Sequence, residues 1–150
     1  MPTLLPKLAV YTDGASRSNP GHAACAYLVG VEGKDPFKTH KQYLGDKVTN
    51  NQAEYRGMAL ALAYLVELIA SSPVDAFGDI TVHSDSQLVV EQINGTWKVR
   101  NADLKAPCQE CQEHLRILRE RGQRVVLQWI PREQNSRADQ LCNQALDEAV

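Results

Sequence analysis

An α/β fold built around a mixed sheet is what the order of elements predicts, and three observations carry that expectation. Three strand-like segments follow one another across short turns near the N-terminus, the pattern of an antiparallel meander. After them, helices and strands alternate. The length of 150 residues suits a single domain over residues 1–150, and no repeat, low-complexity tract or linker interrupts it.

The elements come in this order. Leu8–Thr12 reads as a short strand running into Asp13-Gly14-Ala15-Ser16-Arg17-Ser18-Asn19-Pro20-Gly21, a stretch dense in turn formers. Ala23–Val31 is the second strand, and a hairpin connection from Gly30 through Pro36 leads to a third, Phe37–Leu44. Thr49, with Gln52 three residues on, forms a capping box that opens a helix. Met58, Leu62, Leu65 and Ile69 follow at helical spacing, and Ser71-Ser72-Pro73 ends the run. Ile80–Ser84 is a strand. Ser84 and Gln87 suggest a second cap, for a short helix to about Asn94 that Gly95 breaks. Asp103 to about Arg121 is a further helix with Gly122 at its end, Arg124–Ile130 a strand, and Ser136–Ala149 a final helix carrying Leu141, Cys142, Ala145 and Leu146 on one side.

Hydrophobic residues make up 43% and charged residues 23%, the balance of an ordinary globular chain. No stretch approaches the ~18 apolar residues of a membrane span. Met1 to Lys7 lacks a secretory apolar run, so a cytoplasmic location is the default expectation. The net charge of −2 argues against a protein that coats nucleic acid through a basic surplus. That objection softens if several carboxylates are engaged in holding cations. Cys108 and Cys111 have zinc-site spacing, but beyond His114 no fourth ligand stands out, and packing as small hydrophobes is the better reading.

Four acids occupy unusual places. Asp13 stands where the first strand ends, and Asp85 where the fourth strand gives way to a helix. Glu54 falls in the first helical turn, on the same stripe as Met58 and Leu62; Asp139 is in the first turn of the last helix. A charge on a core-facing stripe needs a partner or an exit to solvent. Each acid singly also fits ordinary cap and turn chemistry, and spacing does not bring the four together. If they met, two carboxylates about 4 Å apart would repel by roughly 4 kcal/mol at an effective dielectric near 20. Oxygen-only ligands of this kind suit Mg²⁺ or Mn²⁺.

The surrounding motifs go further. Tyr11-Thr12-Asp13-Gly14-Ala15 with Asn19-Pro20-Gly21, Thr49-Asn50-Asn51-Gln52-Ala53-Glu54-Tyr55, Ser84-Asp85-Ser86-Gln87-Leu88-Val89, and Trp129-Ile130-Pro131-Arg132-Glu133 followed by Asn135 and Ala138-Asp139 resemble, in order, the four acidic motifs of type 1 ribonucleases H. They span nearly the whole chain. The resemblance implies a ribonuclease H-like fold, with a five-stranded mixed sheet whose first three strands are antiparallel, flanked by helices. It implies an endonuclease that cuts the RNA strand of an RNA–DNA hybrid to leave 5′-phosphate and 3′-hydroxyl ends. Its catalytic and metal-binding set would be Asp13, Glu54, Asp85 and Asp139, around two Mg²⁺ with Mn²⁺ as a substitute. A monomer is the family norm.

Substrate contacts follow from the same resemblance. Asn19, Asn50 and Asn51 match residues that touch the RNA strand, and an amide, which donates and accepts, suits a ribose 2′-hydroxyl. Thr49 and Asn101 match a pocket for a DNA phosphate, with Lys47 a looser match; Thr49 also fits capping, and Asn19 an ordinary turn. Two departures stand out. The basic protrusion of some members is absent, since only residues 95–100 separate Asn94 from Asn101. Within that link Trp97, with Lys98 and Arg100, fits either contact with the DNA strand or, for Trp97, packing. The loop before Asp139 also lacks the His found in some members, as in archaeal and some bacterial ones. Arg132 there reads either as a phosphate contact or as a surface ion pair, and as an arginine it cannot serve as a general base. His83, inside a strand, reads as structural. A binding module that has lost catalysis, or another nuclease on the same fold, would be told apart by testing hybrid, double-stranded DNA and double-stranded RNA.

Overall fold

The computed structural model describes residues 5–149, so residues 1–4 of the N-terminal segment read above fall outside it. Five strands and four helices follow in the order β1 (Leu8–Ser16), β2 (Gly21–Val31), β3 (Pro36–Val48), α1 (Asn50–Ala70), β4 (Ile80–Ser84), α2 (Gln87–Asn94), α3 (Ala102–Glu120), β5 (Val125–Trp129) and α4 (Ser136–Ala149). The sheet order is β3-β2-β1-β4-β5. β1 pairs antiparallel with β2, and β2 with β3; β4 lies parallel to β1, and β5 parallel to β4. The expected α/β class and mixed sheet are therefore present.

Alternation along β2 places helices on both faces. Ala24 packs with Ala145 and Leu146 of α4, while the side chain of its neighbour Cys25 lies against Gly57 of α1. Successive strand residues point to opposite faces, so α4 and α1 cover opposite sides. Ala23 through Gly30 are accordingly all buried, as expected for a strand covered on both faces. The main core lies on the α1 side, where Met58, Leu62 and Leu65 meet Val10, Val82 and the inward stripe of α3, Leu104, Cys108, Cys111, Leu115 and Leu118. Cys108 and Cys111 thus pack as small apolar groups.

Several boundaries differ from the sequence expectation. β1 continues through Ser16, so Asp13 lies within the strand and not at its end. The turn formers there are held by pairing with β2 as far as Ser16↔Ala23. β3 runs on to Val48 because Gly45, at φ +100, lets the edge strand shift register and continue. The second helix is capped by Ser86 and not Ser84, its hydroxyl accepting from the Val89 N–H. The helix opens at Asn50 after the Thr49 cap as expected, which makes Glu54 its fifth residue, just past the first turn. No helix among the described residues is long and apolar enough to cross a membrane.

Candidate active site

Two glycines decide how closely α1 approaches β1. A Cβ at Gly14 would collide with the backbone of Ala53 and Glu54, and one at Gly57 would lie 2.6 Å from the Asp13 carbonyl oxygen. With both side chains reduced to hydrogen, the second turn of α1 lies directly on the strand that carries Asp13. The capping box fixes the start of that helix: Gln52 N–H donates to the Thr49 hydroxyl at 3.1 Å, and Thr49 N–H to Gln52 Oε1 at 2.9 Å. Glu54 is thereby aimed at Asp13.

The junction of β4 and α2 supplies the third acid. Asp85 is held from two sides: the Trp129 indole N–H donates to its backbone carbonyl at 3.2 Å, and the Asn135 amide N–H reaches its Oδ2 at 3.4 Å. The same Asn135 amide donates to the Thr12 carbonyl at 2.8 Å. One carboxylate oxygen each from Asp13, Glu54 and Asp85 lies within 4.8 Å of the others.

Asp139 stands in the first turn of α4, outside this three-acid group but close enough for its charge to raise Asp13 and Asp85. Its Oδ1 lies 4.0 Å from the Arg132 guanidinium. The ion-pair reading of Arg132 rests on this contact, and its charge also draws the Asp85 carboxyl back down.

Burial dominates the electrostatics. It pushes Asp13 up to about 7, with the Asp85 charge adding to the rise. Glu54 stands well above the usual carboxylate range, through burial first and then the charges of Asp13 and Asp85. Asp85 is raised by burial and partly restored by the Asn135 hydrogen bond. Glu54 Oε2 is buried without any hydrogen-bond partner. Three gathered acids that resist ionisation, one with an orphaned oxygen, fit a divalent cation: positive charge would release the protons and satisfy the orphan.

The other candidate residues distribute as follows. Asn19 Oδ1 accepts from the Asn50 N–H at 3.0 Å, and Asn50 Oδ1 accepts from the Ser16 N–H at 2.8 Å, so these amides tie the β1–β2 turn to the start of α1. Asn51 is exposed beside them. Asn101 caps α3 by accepting from the Asp103 N–H at 2.9 Å, so it and Thr49 each sit at a helix N-terminus. Trp97 is 44% exposed. His83 is structural as expected: its Nδ1 meets the Val10 carbonyl at 2.9 Å and its ring stacks on Tyr11. Asn135, Trp129, Gly14 and Gly57 were not assigned roles from sequence. All but Gly57 lie in the quoted motifs, but nothing in the chain order says that Asn135 and Trp129 support Asp85 or that Gly14 admits the helix.

Comparison with known proteins agrees with this geometry. The RNase H family profile matches residues 6–147. A bifunctional protein of Mycobacterium tuberculosis is 35% identical over 144 residues, covering 96% of this chain and 36% of its own length. The chain therefore spans about a third of the length of the mycobacterial relatives it matches. Ribonuclease HI of Halobacterium salinarum is 34% identical over 95% of this chain and 66% of its own length. Among solved structures, RNase H1 from Halobacterium salinarum superposes with a TM-score of 0.82 at 34% identity, covering 95% of this chain and 99% of that one. LC11-RNase H1, crystallised with an RNA/DNA hybrid, gives 0.79 at 34% identity, covering 95% and 98%. With the family profile spanning nearly every residue and the acids of three of its motifs meeting at one point, this chain belongs to the RNase H family.

Proposed function

We propose that the chain is an endonuclease that hydrolyses the RNA strand of RNA–DNA hybrids, leaving 5′-phosphate and 3′-hydroxyl ends. The observation that carries the reading is the meeting of Asp13, Glu54 and Asp85 oxygens within 4.8 Å, with Glu54 Oε2 unpartnered. A pure binder of phosphates gains nothing from buried negative charge. Family membership, and a relative crystallised on a hybrid, support the substrate class.

In this reading Asp13, Glu54 and Asp85 hold divalent cations, with Asp139 joining from α4. Mg²⁺, as two ions, suits the oxygen-only set, and Mn²⁺ substitutes for it. Such ions supply Lewis acidity and a water of lowered pKa for phosphodiester hydrolysis. The protein's own part is positional. Asn19, Asn50 and Asn51 address the RNA strand, Thr49 and Asn101 offer helix N-termini to a DNA phosphate, and Arg132 meets a phosphate near Asp139. Trp97 stacks against the DNA strand.

The test uses labelled hybrid, double-stranded DNA and double-stranded RNA, with and without Mg²⁺. Cleavage confined to the RNA of the hybrid, dependent on the ion, and lost in Asp13→Asn and Asp85→Asn while hybrid binding survives, is the expected result. Undiminished cleavage by either variant would falsify the metal assignment. Binding without cleavage by the unaltered protein would make it a hybrid-binding module.

A further inference from the structure

α2 runs from the third acid to a short link. It starts two residues after Asp85, is about 12 Å long, and ends at residues 95–100, which lead into α3. That link carries Trp97, Lys98 and Arg100. A groove of about 530 Å³ lies between it and Lys105, Gln109 and Gln112 of α3, so the middle of the link is not packed onto that helix. At its start the Thr96 and Trp97 N–H groups both donate to the Glu91 carbonyl, at 3.0 and 3.2 Å. Towards its end Val99 packs against the core.

Between these points the link is tied by Gln92, which lies in the last turn of α2 and is 6% exposed. Its Nε2 donates to the Lys98 carbonyl at 3.4 Å, and its Oε1 accepts from the Tyr55 hydroxyl at 2.6 Å. Tyr55 is fully buried and follows Glu54 in α1. A carbonyl only accepts, so the amide nitrogen faces Lys98 and the oxygen is left for Tyr55. The position therefore calls for a side chain that donates and accepts at once. Its buried neighbours on α2, Val89, Val90 and Ile93, are apolar, so the core alone gives no reason for an amide here. A buried bridge of this kind specifies one arrangement, since slippage leaves its polar groups unpaired.

We infer that Gln92 is a positioning residue for hybrid binding: through its amide, α1 holds the backbone that presents Trp97, Lys98 and Arg100 at a fixed place relative to Glu54. The inference rests on the hybrid-cleaving reading above and deepens it, naming what aligns the DNA-strand contacts with the acids. Gln92 acts through the link and touches no reacting atom.

Hybrid affinity of the intact protein, measured without divalent ions over a range of salt, and steady-state cleavage with Mg²⁺ test it. Gln92→Met, close in size and without a donor, should raise KM at least threefold with kcat within twofold of the unaltered protein. Its plot of log affinity against log salt should be shallower by about one unit or more, as the phosphate contacts of Lys98 and Arg100 are lost. Tyr55→Phe removes one hydroxyl and leaves the core filled; it should move both quantities the same way, less far. A purely structural role would lower the urea midpoint and the active fraction, hence kcat, and leave KM and the slope alone. In a Lys98→Ala/Arg100→Ala background, Gln92→Met should not alter the slope further, because changes acting through one contact do not add. Unchanged KM and slope in Gln92→Met, with the slope still responding to Lys98→Ala, would overturn the positioning role and leave the hybrid reading standing. A slope that falls again in the doubly substituted background would overturn the route through the link. Failure of the unaltered protein to bind hybrid would overturn the hybrid reading and this role with it.

Discussion

Gly57 lies so close beneath Asp13 that a Cβ on it would stand 2.6 Å from the Asp13 carbonyl oxygen. That contact, with the matching one of Gly14 on Ala53, sets the separation between the strand and helix that carry the two most buried acids. Alanine at either position must push α1 outward. Overpacking of this kind costs about 1–3 kcal/mol and occasionally more. Gly14→Ala should therefore lower the urea midpoint, and its hybrid cleavage should fall further than the loss of folded protein explains. A variant of normal stability and activity would show that the helix is not held by this approach.

Asn135 is the support of the third acid. Asn135→Ala leaves the Thr12 carbonyl without its donor, and a buried group stripped of its partner costs about 1–3 kcal/mol. Asn135→Asp, placing an oxygen where a donor is required, should be no better. We expect both to reduce kcat more than they raise KM. A change in KM alone would place Asn135 in substrate binding.

Proton linkage gives the third prediction. Asp13 rises from an ordinary 3.8 to about 7 and Glu54 is also raised, so the folded protein keeps protons that the unfolded chain has already released. The stability this confers is complete below the unfolded carboxylate value. It is lost as pH climbs through the folded one, by about 1.4 kcal/mol per pH unit for each proton retained. Without divalent ions, unfolding free energy should therefore fall from mildly acidic to neutral pH. Added Mg²⁺, binding only the folded state, should flatten the decline. A rise in stability over that range without the ion would contradict the burial of these acids.

Trp97, Lys98 and Arg100 lie in the short link between α2 and α3. If Lys98 and Arg100 each neutralise a phosphate, removing one should make the plot of log affinity against log salt shallower by about one unit. Trp97→Ala should weaken hybrid binding with little change in that slope, since stacking releases no counterions. An unchanged slope in Lys98→Ala and in Arg100→Ala would remove this link from the interface.

Much of this was legible in the chain. The meander, the alternation of helices and strands, the Thr49 capping box and the stripe of Met58, Leu62 and Leu65 follow from local periodicity and cap chemistry, which are written in adjacent residues. The meeting of Asp13, Glu54 and Asp85 was not, because it depends on backbone approaches between segments far apart in the chain, β1 with α1 and β1 with β4. Motif resemblance, and not spacing, nominated those positions. Strand ends were misplaced where cross-strand pairing overrode turn composition, as at Asp13 to Ser16 and at Gly45 to Val48. Ser84 and Ser86 were confused because they stand two residues apart and both hydroxyls accept a backbone N–H, from Ser86 and Val89 respectively.

The four cysteines sit on three separate elements, β2, α3 and α4, and all are buried as free thiols. Burial pushes Cys25 up to about 12 and raises Cys111 and Cys142 as well. Thiolate is the form that alkylating agents and oxidants attack, and burial shields all four sulfurs in the folded state. Each sulfur becomes reactive only when its own layer opens, making the molecule a carrier of built-in reporters. The order in which they are modified under mild denaturant would rank how readily the inner strand, the long helix and the terminal helix come apart.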